Sequence, residues 1–165
     1  MNIVWNTFKL LDHYFIIAKT NKGVCLIDQY NNDDKWKGMM LRKFPNCSFT
    51  QDSLKDEIEE VQAYIFGERT SFTFPIDMRG TSFQEEVWQA ASKVSYGHTK
   101  TYQAIAEDIN KPKAARAVGA ALGANCILFA IPCHRIIAQS KKLTGYRGGV
   151  SLKKHILQLE KANDQ

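Results

Sequence analysis

The hydrophobic pattern of the chain changes near residue 80, and this change limits the possible fold more than any other feature. Residues 3–17 and 24–27 are rich in β-branched and aromatic side chains, and the turn residues 20–23 separate them, which is typical of a strand meander. Apolar residues then recur at helical spacing over residues 54–66. The first part of the chain is therefore predicted to be an α/β unit with a small antiparallel sheet and one long helix.

The second part of the chain is predicted to be mostly α-helical and to contain a helix-turn-helix. Thr101 can cap a helix that runs to Ile109, and residues 114–122 form a second helical segment with mostly small side chains. The sequence Asn-Lys-Pro at residues 110–112 interrupts them, because proline cannot continue a helix. A helix, a tight turn and a second helix are the outline of this DNA-binding motif.

We place the boundary between the two parts at residues 77–80. A helix can begin just after it, with Thr81 or Ser82 as the N-cap and Glu85 closing a capping box. The expected organisation is an α/β domain over residues 1–78 and a DNA-binding domain over residues 79–165. The second domain should close with an amphipathic helix near the end of the chain, whose apolar residues face inward: Leu152, Ile156, Leu157 and Leu159.

The charge of the chain is distributed unevenly. Residues 1–90 carry 10 Lys and Arg against 13 Asp and Glu, a net charge of −3, whereas residues 91–165 carry 12 against 4, a net charge of +8. A basic half beside an acidic half is typical of a chain of which one half meets a polyanion. A solvated basic face would carry the same charge, so charge alone leaves both interpretations open.

The sequence predicts a cytoplasmic protein without a metal site. It contains no run of eighteen apolar residues, and its start lacks the pattern of a secretory signal peptide. The four cysteines show no CxxC pairing, so each is expected to be core filler, a metal ligand or a nucleophile. His13, Cys25 and Cys47 have no recognisable ligand spacing, and we expect no metal there.

Cys133 lies in an unusual heptapeptide, Ile-Pro-Cys-His-Arg-Ile-Ile, at residues 131–137. A thiol with an ordinary pKa of about 8.5 is a poor nucleophile until a base or a cation helps it to ionise. His134 and Arg135 are adjacent in sequence, but neighbours on a strand point in opposite directions, so contact would require a helical turn or a bridging water. A buried structural cysteine is the alternative interpretation.

The heptapeptide resembles the PCHR active-site signature of the O6-alkylguanine-DNA alkyltransferases. The resemblance covers roughly residues 75–162, and further motifs of that family follow in its order at residues 80–84, 87–88, 96–102, 113–119, 125, 145–149 and 160. Several separated motifs in one order make the resemblance specific. The sequence departs from the family pattern at Ser95, Thr101 and Cys126, where the family often has proline, serine and proline.

The resemblance implies both a fold and a set of residue roles. The first domain would have a ribonuclease H-like layout. Four residues would be catalytic: Cys133 as alkyl acceptor, His134 as its base through a water, Glu160 as the group that orients His134, and Tyr102 as proton donor to the leaving guanine. The expected DNA contacts are Thr101, Lys113, Ala115, Arg116 and Arg135. The expected base pocket consists of Asn125, Tyr146, Arg147, Gly148 and Gly149.

The chemistry that the resemblance implies consumes the protein. An alkyl group would move from O6 of guanine in double-stranded DNA, with O4 of thymine as a second candidate position, to form a thioether that no ordinary cellular reductant reverses. Each molecule would act once, as a methylated-DNA–protein-cysteine methyltransferase and a monomer, with no cofactor. The alkylated oxygen lies inside the duplex, so the nucleotide must be flipped into a pocket. Arg116, on a helix of small residues, would fill the space that the base leaves.

Three other functions are compatible with parts of the sequence. A non-catalytic sensor would bind alkylated DNA without reacting, although the presence of Cys133 argues against it. A thiol hydrolase would use Cys133 and His134 and would turn over repeatedly. A transcription regulator would use the helix-turn-helix to read a defined sequence in the major groove, whereas the resemblance implies binding in the minor groove.

Overall fold

The structure is a computed structural model and describes residues 1–164. The first half forms a four-stranded sheet with two helices. Its strands and helices are β1 (Asn2–Leu10), β2 (His13–Lys19), β3 (Val24–Gln29), α1 (Lys35–Lys43), β4 (Ser48–Gln51) and α2 (Lys55–Ile65). The strand order is β3-β2-β1-β4.

The predicted small sheet is confirmed, with one difference in strand direction. β1, β2 and β3 form an antiparallel meander, as expected. β4 pairs with β1 in parallel, because the chain leaves β3 at one edge of the sheet and returns through α1 to the opposite edge. The sheet is therefore mixed rather than wholly antiparallel, and such a helical crossover is the usual way to join parallel strands.

The second half is mostly helical, as predicted. Its elements are α3 (Ser82–Ser92), β5 (Lys100–Thr101), α4 (Tyr102–Asp108), α5 (Ala115–Gly123), a 3₁₀ turn (Cys133–Arg135), β6 (Ile136–Ile137) and α6 (Val150–Asn163). The short strands β5 and β6 pair in parallel. Within residues 1–164, none of the helices combines the length and the apolar character needed to cross a membrane.

The start of α3 and the helix-turn-helix follow from local sequence. Thr81 is the N-cap of α3, and the capping box is closed by Gln84 rather than by Glu85, because the third residue after Thr81 is Gln84. Thr101 caps α4, as predicted, by accepting a hydrogen bond from the amide of Ala104. α4 and α5 pack together, and the indole N–H of Trp88 donates to Ala121 O at 2.8 Å, which joins α3 to α5.

Hydrogen bonds and aromatic packing join the two halves. The amide of Ile27 in β3 donates to Cys126 O, and the amide of Leu128 donates back to Ile27 O, each at 2.9 Å. Behind these bonds the ring of Phe129 lies between Phe15 and Tyr64, with centroids 6.0 Å and 6.3 Å away. The segment that leads into Cys133 is thus fixed against the sheet of the first half.

Candidate active site

Cys133 is the first residue of the 3₁₀ turn that directly precedes β6. The turn is tight: the amide of Cys133 donates to Ile131 O at 2.8 Å, and the amide of Arg135 donates to Pro132 O at 3.0 Å. Consecutive side chains are not forced to opposite faces here, as they would be on a strand. The thiol is buried, with 3% of the residue exposed.

The surroundings of the thiol keep it protonated at rest. Burial raises the pKa of Cys133 to about 12, while the Asn125 side chain and the Lys153 ammonium act in the opposite direction. A thiol of this kind must lose its proton during the reaction rather than before it. A base beside it is therefore needed, and His134 is the neighbouring candidate.

His134 is buried and is oriented by Glu160. Its Nε2 lies 2.7 Å from Glu160 Oε2, whereas its Nδ1 has no hydrogen-bond partner among residues 1–164. Burial lowers the pKa of His134 below its ordinary value, although Glu160 opposes this. The bond to Glu160 is satisfied by an Nε2–H tautomer, which leaves a lone pair on Nδ1. Nδ1 is thus available to accept a proton.

Arg135 completes the ion pair around Glu160, and here one prediction is wrong. We expected Arg135 among the DNA contacts, but its guanidinium is turned inward: Nε lies 2.8 Å from Glu160 Oε1, Nη2 lies 3.2 Å from Glu160 Oε2, and Nη1 donates to Val94 O. Burial by itself would raise the pKa of Glu160, but the bonds from His134 and Arg135 hold it at about 2. Arg135 therefore stabilises the carboxylate.

The structure brings Tyr64 into this network, and the sequence analysis did not single it out. Tyr64 lies on α2 in the first half, and its hydroxyl donates to Glu160 Oε2 and lies 3.4 Å from His134 Nε2. It belongs to the inward face of a helix that the spacing of apolar residues had predicted. Nothing local indicated its partner, because 96 residues separate Tyr64 from Glu160.

Lys153 is a second buried side chain that the sequence analysis missed. Its Nζ donates to Ile136 O at 2.7 Å and to Thr144 O at 3.2 Å, although only 1% of the residue is exposed. Burial lowers the pKa of Lys153 to about 8, and the nearby Cys133 opposes this shift. A cation held at this point favours the thiolate of Cys133 over the thiol.

Asn125 joins the end of α5 to the active-site turn. Its side-chain amide donates to Ile131 O at 3.1 Å, and its Oδ1 accepts from the amide of Ile127 at 2.9 Å. It is fully buried and also contributes to lowering the pKa of Cys133. These contacts are those expected of a residue that fixes the turn relative to the helix before it.

The segment from Thr144 to Gly149, which we call the glycine loop, covers the turn. Tyr146 packs edge-on against His134 with ring centroids 6.3 Å apart, and its buried hydroxyl has no partner within residues 1–164. A Cβ added at Gly148 would lie 2.8 Å from Tyr146 Cε2, and Gly149 has a φ of +94° at the start of α6. Both glycines are therefore required by the path of the loop.

The glycine loop is held from both sides. On the DNA-binding side, the Tyr102 hydroxyl donates to Thr144 O at 3.3 Å. On the other side, Arg147 Nε lies 2.9 Å from Asp28 Oδ2, and Gln29 Nε2 donates to Gly148 O at 3.0 Å. The loop thus lies between the helix-turn-helix and the end of β3.

The sulfur of Cys133 is enclosed by its neighbours. The residue is 3% exposed and does not line any of the five cavities described here within residues 1–164. The cavity beside the glycine loop has a volume of about 310 Å³ and is lined by Arg147, Asp28 and Trp36, among others.

The remaining predicted DNA contacts lie on the helix-turn-helix. Lys113 and Arg116 are exposed, and Ala115 begins α5, so Arg116 lies in the first turn of α5 rather than in its middle. α5 passes close to the Tyr102 ring of α4 at Gly119, where an added Cβ would lie 3.9 Å from Tyr102 Cε1. Thr101 lies at the N-terminus of α4. These residues lie at the N-terminal ends of α4 and α5.

The cysteines of the first half are not arranged as metal ligands. Within residues 1–164, no group of three or more His, Cys, Asp or Glu side chains is placed to hold a metal ion. Burial raises the pKa of Cys25 to about 12, and its thiol packs against Met40. Cys25 is a core residue, whereas Cys47 is half-buried.

Comparisons with known proteins agree with this site. Residues 82–162 match the family model for the DNA-binding domain of 6-O-methylguanine DNA methyltransferase. The chain is 43% identical over 164 residues to the inducible methylated-DNA–protein-cysteine methyltransferase of Bacillus subtilis, covering 96% of this chain and 90% of that protein. It is 37% identical to the bifunctional transcriptional activator and DNA repair enzyme Ada of Escherichia coli, over 91% of this chain and 43% of Ada.

Solved structures give the same result. The O6-methylguanine methyltransferase of Mycobacterium tuberculosis aligns with a TM-score of 0.84 and 33% identity, over 98% of this chain and 94% of that one. The same protein in complex with DNA aligns with a TM-score of 0.82 and 32% identity. The chain therefore belongs to the methylated-DNA–protein-cysteine methyltransferases, a family of DNA repair enzymes that act by alkyl transfer.

Proposed function

We propose that the chain removes an alkyl group from O6 of guanine in double-stranded DNA and keeps it permanently on Cys133. The observation that carries this proposal is that Cys133, His134 and Glu160 are all buried, and that His134 Nε2 lies 2.7 Å from Glu160 Oε2 while Nδ1 has no partner within residues 1–164. A nucleophile, a base and a group that orients the base are the requirements for activating a thiol. O4 of alkylated thymine is a second candidate position for the same chemistry.

The reaction balances with the residues of the site. The Cys133 proton moves to His134 Nδ1, through one bridging water, while the sulfur attacks the alkyl carbon. The bond from that carbon to guanine O6 breaks, and its electron pair passes to the guanine, which takes a proton from the Tyr102 hydroxyl. Glu160 stabilises the imidazolium that His134 becomes. The thioether is stable, so each molecule acts once and requires no cofactor.

The exposed cations of the helix-turn-helix support a specific mode of DNA binding. Lys113 and Arg116, with Thr101 and Ala115, contact the duplex at the ends of α4 and α5. Arg116 enters the space left by the flipped guanine, and the glycine loop opens to admit the base beside Tyr146, Arg147 and Asn125. Phosphate contacts make this binding dependent on salt and largely independent of sequence.

The remaining features of the proposal concern the whole chain. It works as a cytoplasmic monomer, with an α/β domain over residues 1–78 and the reactive, DNA-binding domain over residues 79–165. The basic charge of the second half supports this division, because that half carries the surface that meets DNA.

Intact-mass analysis tests the proposal directly. The protein is incubated with a duplex that contains one O6-methylguanine, and the altered peptide is mapped. We expect a gain of one methyl group on Cys133 and no turnover beyond one equivalent. Cys133→Ala should bind the same duplex and gain nothing. Tight binding of the lesion without any mass change in the unsubstituted protein would instead identify a non-catalytic sensor, and repeated turnover would identify a thiol hydrolase.

A further inference from the structure

Tyr64, in the first half of the chain, contacts the polar side chains around Glu160. Its hydroxyl contacts three polar groups of the second half: it donates to Glu160 Oε2, lies 3.4 Å from His134 Nε2, and accepts from Arg135 Nη2 at 3.4 Å. The residue is 1% exposed. The Tyr64 hydroxyl is therefore buried between the carboxylate, the imidazole and the guanidinium of the proposed active site.

The Tyr64 hydroxyl is fixed in place by the packing of its ring. Phe72 lies 4.9 Å away between ring centroids, Tyr96 lies 6.0 Å away edge-on, and Phe129 lies 6.3 Å away. Rings packed on several sides leave little freedom to the side chain. Burial and the charge of Glu160 also raise the pKa of the Tyr64 phenol well above its ordinary value, so the hydroxyl keeps its proton and acts as a donor.

The single proton of Tyr64 adds to the contacts that set the geometry of Glu160. Arg135 Nε donates to Oε1, while Oε2 accepts from Tyr64, from His134 Nε2 and from Arg135 Nη2. Glu160 is therefore held with Oε2 towards the imidazole. That arrangement is matched by a proton on Nε2, and it leaves the lone pair on Nδ1.

We propose that Tyr64 is a positioning residue for alkyl transfer: its hydroxyl holds the Glu160 carboxylate against His134 Nε2 and so keeps Nδ1 free to take the proton of Cys133. This inference rests on the proposed function, because it assigns Tyr64 to the same proton transfer. It also makes one side chain of α2 part of the reacting site.

The effect of Tyr64 on His134 has a definite direction. Without the Tyr64 hydroxyl, Arg135 still holds Glu160 beside His134, but Glu160 Oε2 loses one donor, so its negative charge acts more strongly on the imidazole. The proton affinity of His134 would rise, and more of it would be protonated, and inactive as a base, in mild acid. The charged and titratable groups that face His134 are Glu160, Lys153, Cys133, Arg135, Tyr146 and Tyr64.

The test compares Tyr64→Phe with Tyr96→Phe. Both remove one hydroxyl from the same aromatic cluster, but the hydroxyl of Tyr96 lies near Asn163, not near Glu160. The single-turnover rate of Cys133 methylation is measured by mass at saturating O6-methylguanine duplex, from about pH 5 to about pH 8. Half-saturating DNA concentrations are measured in parallel, because a positioning residue should change the rate and not the binding.

We expect the acid limb of the rate profile of Tyr64→Phe to move upward by roughly 0.5 to 1 pH unit, which lowers the rate in mild acid roughly 3- to 10-fold. The profile of Tyr96→Phe should coincide with that of the unsubstituted protein. Coincidence of the Tyr64→Phe profile with the unsubstituted one, or an equal shift in both variants, overturns the inference. Failure of the unsubstituted protein to take the methyl group overturns the proposed function instead.

A second measurement covers the case in which Tyr64→Phe does not fold. Nitrogen-15 spectra of the unsubstituted protein report which ring nitrogen of His134 carries the proton. We expect a proton on Nε2 and an unprotonated Nδ1 near neutral pH. A proton on Nδ1 would overturn the inference, because the carboxylate would then not be selecting the tautomer.

Discussion

Among single side chains, Glu160 carries the charge on which the others depend. It accepts hydrogen bonds from His134, Arg135 and Tyr64, and together these hold its pKa at about 2. The pKa in the folded state is lower than the ordinary value of about 4.3, so the ionised form stabilises the fold. This stabilisation is complete above about pH 5 and is lost as the pH falls toward about 2.

Replacement of Glu160 by glutamine should therefore destabilise the protein in a pH-dependent way. Glu160→Gln leaves the buried guanidinium of Arg135 without a counter-charge, which costs about 3 kcal/mol or more at neutral pH. The difference in unfolding free energy from the unsubstituted protein should shrink by roughly 3 kcal/mol between about pH 5 and about pH 2. Urea titrations at several pH values measure it, and a difference independent of pH would contradict the assignment of the charge.

Lys153 is predicted to speed the reaction through its charge. Lys153→Met keeps the length of the side chain but removes the cation near Cys133 and the donors to Ile136 O and Thr144 O. The thiolate then forms less readily, and the single-turnover rate should fall roughly tenfold. Lys154→Met is the matched control, because Lys154 is adjacent and exposed. Equal rates for the two variants would exclude an electrostatic role for Lys153.

Among the elements, the glycine loop lies over the turn that carries Cys133, so in the proposed reaction it would control access to the sulfur. Its contacts to β3 are a partly exposed ion pair between Arg147 and Asp28 and one hydrogen bond from Gln29. On the other side, Thr144 O accepts from the Tyr102 hydroxyl and from Lys153 Nζ. The ion pair is the one charged contact among these that a single isosteric substitution removes.

Loss of the ion pair at Asp28 should make Cys133 easier to reach. In Asp28→Asn, the loop keeps its backbone path but loses the charge that holds Arg147. A small thiol reagent should modify Cys133 up to roughly 5-fold faster, as followed by peptide mass mapping. Asp33→Asn is the control, because Asp33 lines the same cavity without a bond to the loop. An unchanged rate would show that this ion pair does not limit opening.

We expect the helix-turn-helix to affect the rate of alkyl transfer only when the substrate is duplex DNA. Arg116→Ala removes an exposed cation from the first turn of α5, and we expect transfer from a methylated duplex to slow by roughly tenfold or more, since base flipping loses its support. Transfer from the free modified base should not change. Lys9→Ala, an exposed cation in the sheet of the first half, is the control and should leave both rates unchanged.

At the scale of the whole molecule, the sequence predicted the helices and the strand meander because periodicity and capping are local properties. It predicted Cys133, His134 and Glu160 through the order of the family motifs. It did not predict that Tyr64 and Lys153 point towards His134 and Cys133, or that the Arg135 guanidinium is turned inward onto Glu160. Each of these depends on contacts between distant segments, and a lysine on an amphipathic helix is ordinarily expected to face water.

Phe129 is the position at which to test whether the two halves of the chain unfold together. Its ring packs between Phe15 of the sheet and Tyr64 of α2, and its backbone is held at a φ of +69°. Phe129→Ala should lower the unfolding free energy by about 3 to 5 kcal/mol, because it leaves a cavity between the halves.

If the two halves fold as one unit, Phe129→Ala should lower the protection of amides in both halves together, as measured by native-state hydrogen exchange. The control is Phe66→Ala, whose side chain is 63% exposed and whose loss should change stability by less than about 0.5 kcal/mol. Loss of protection confined to residues 79–164 would show that the halves unfold separately. In that case Tyr64 could leave Glu160 while the sheet stayed folded, and the first half would act on the reaction only when docked.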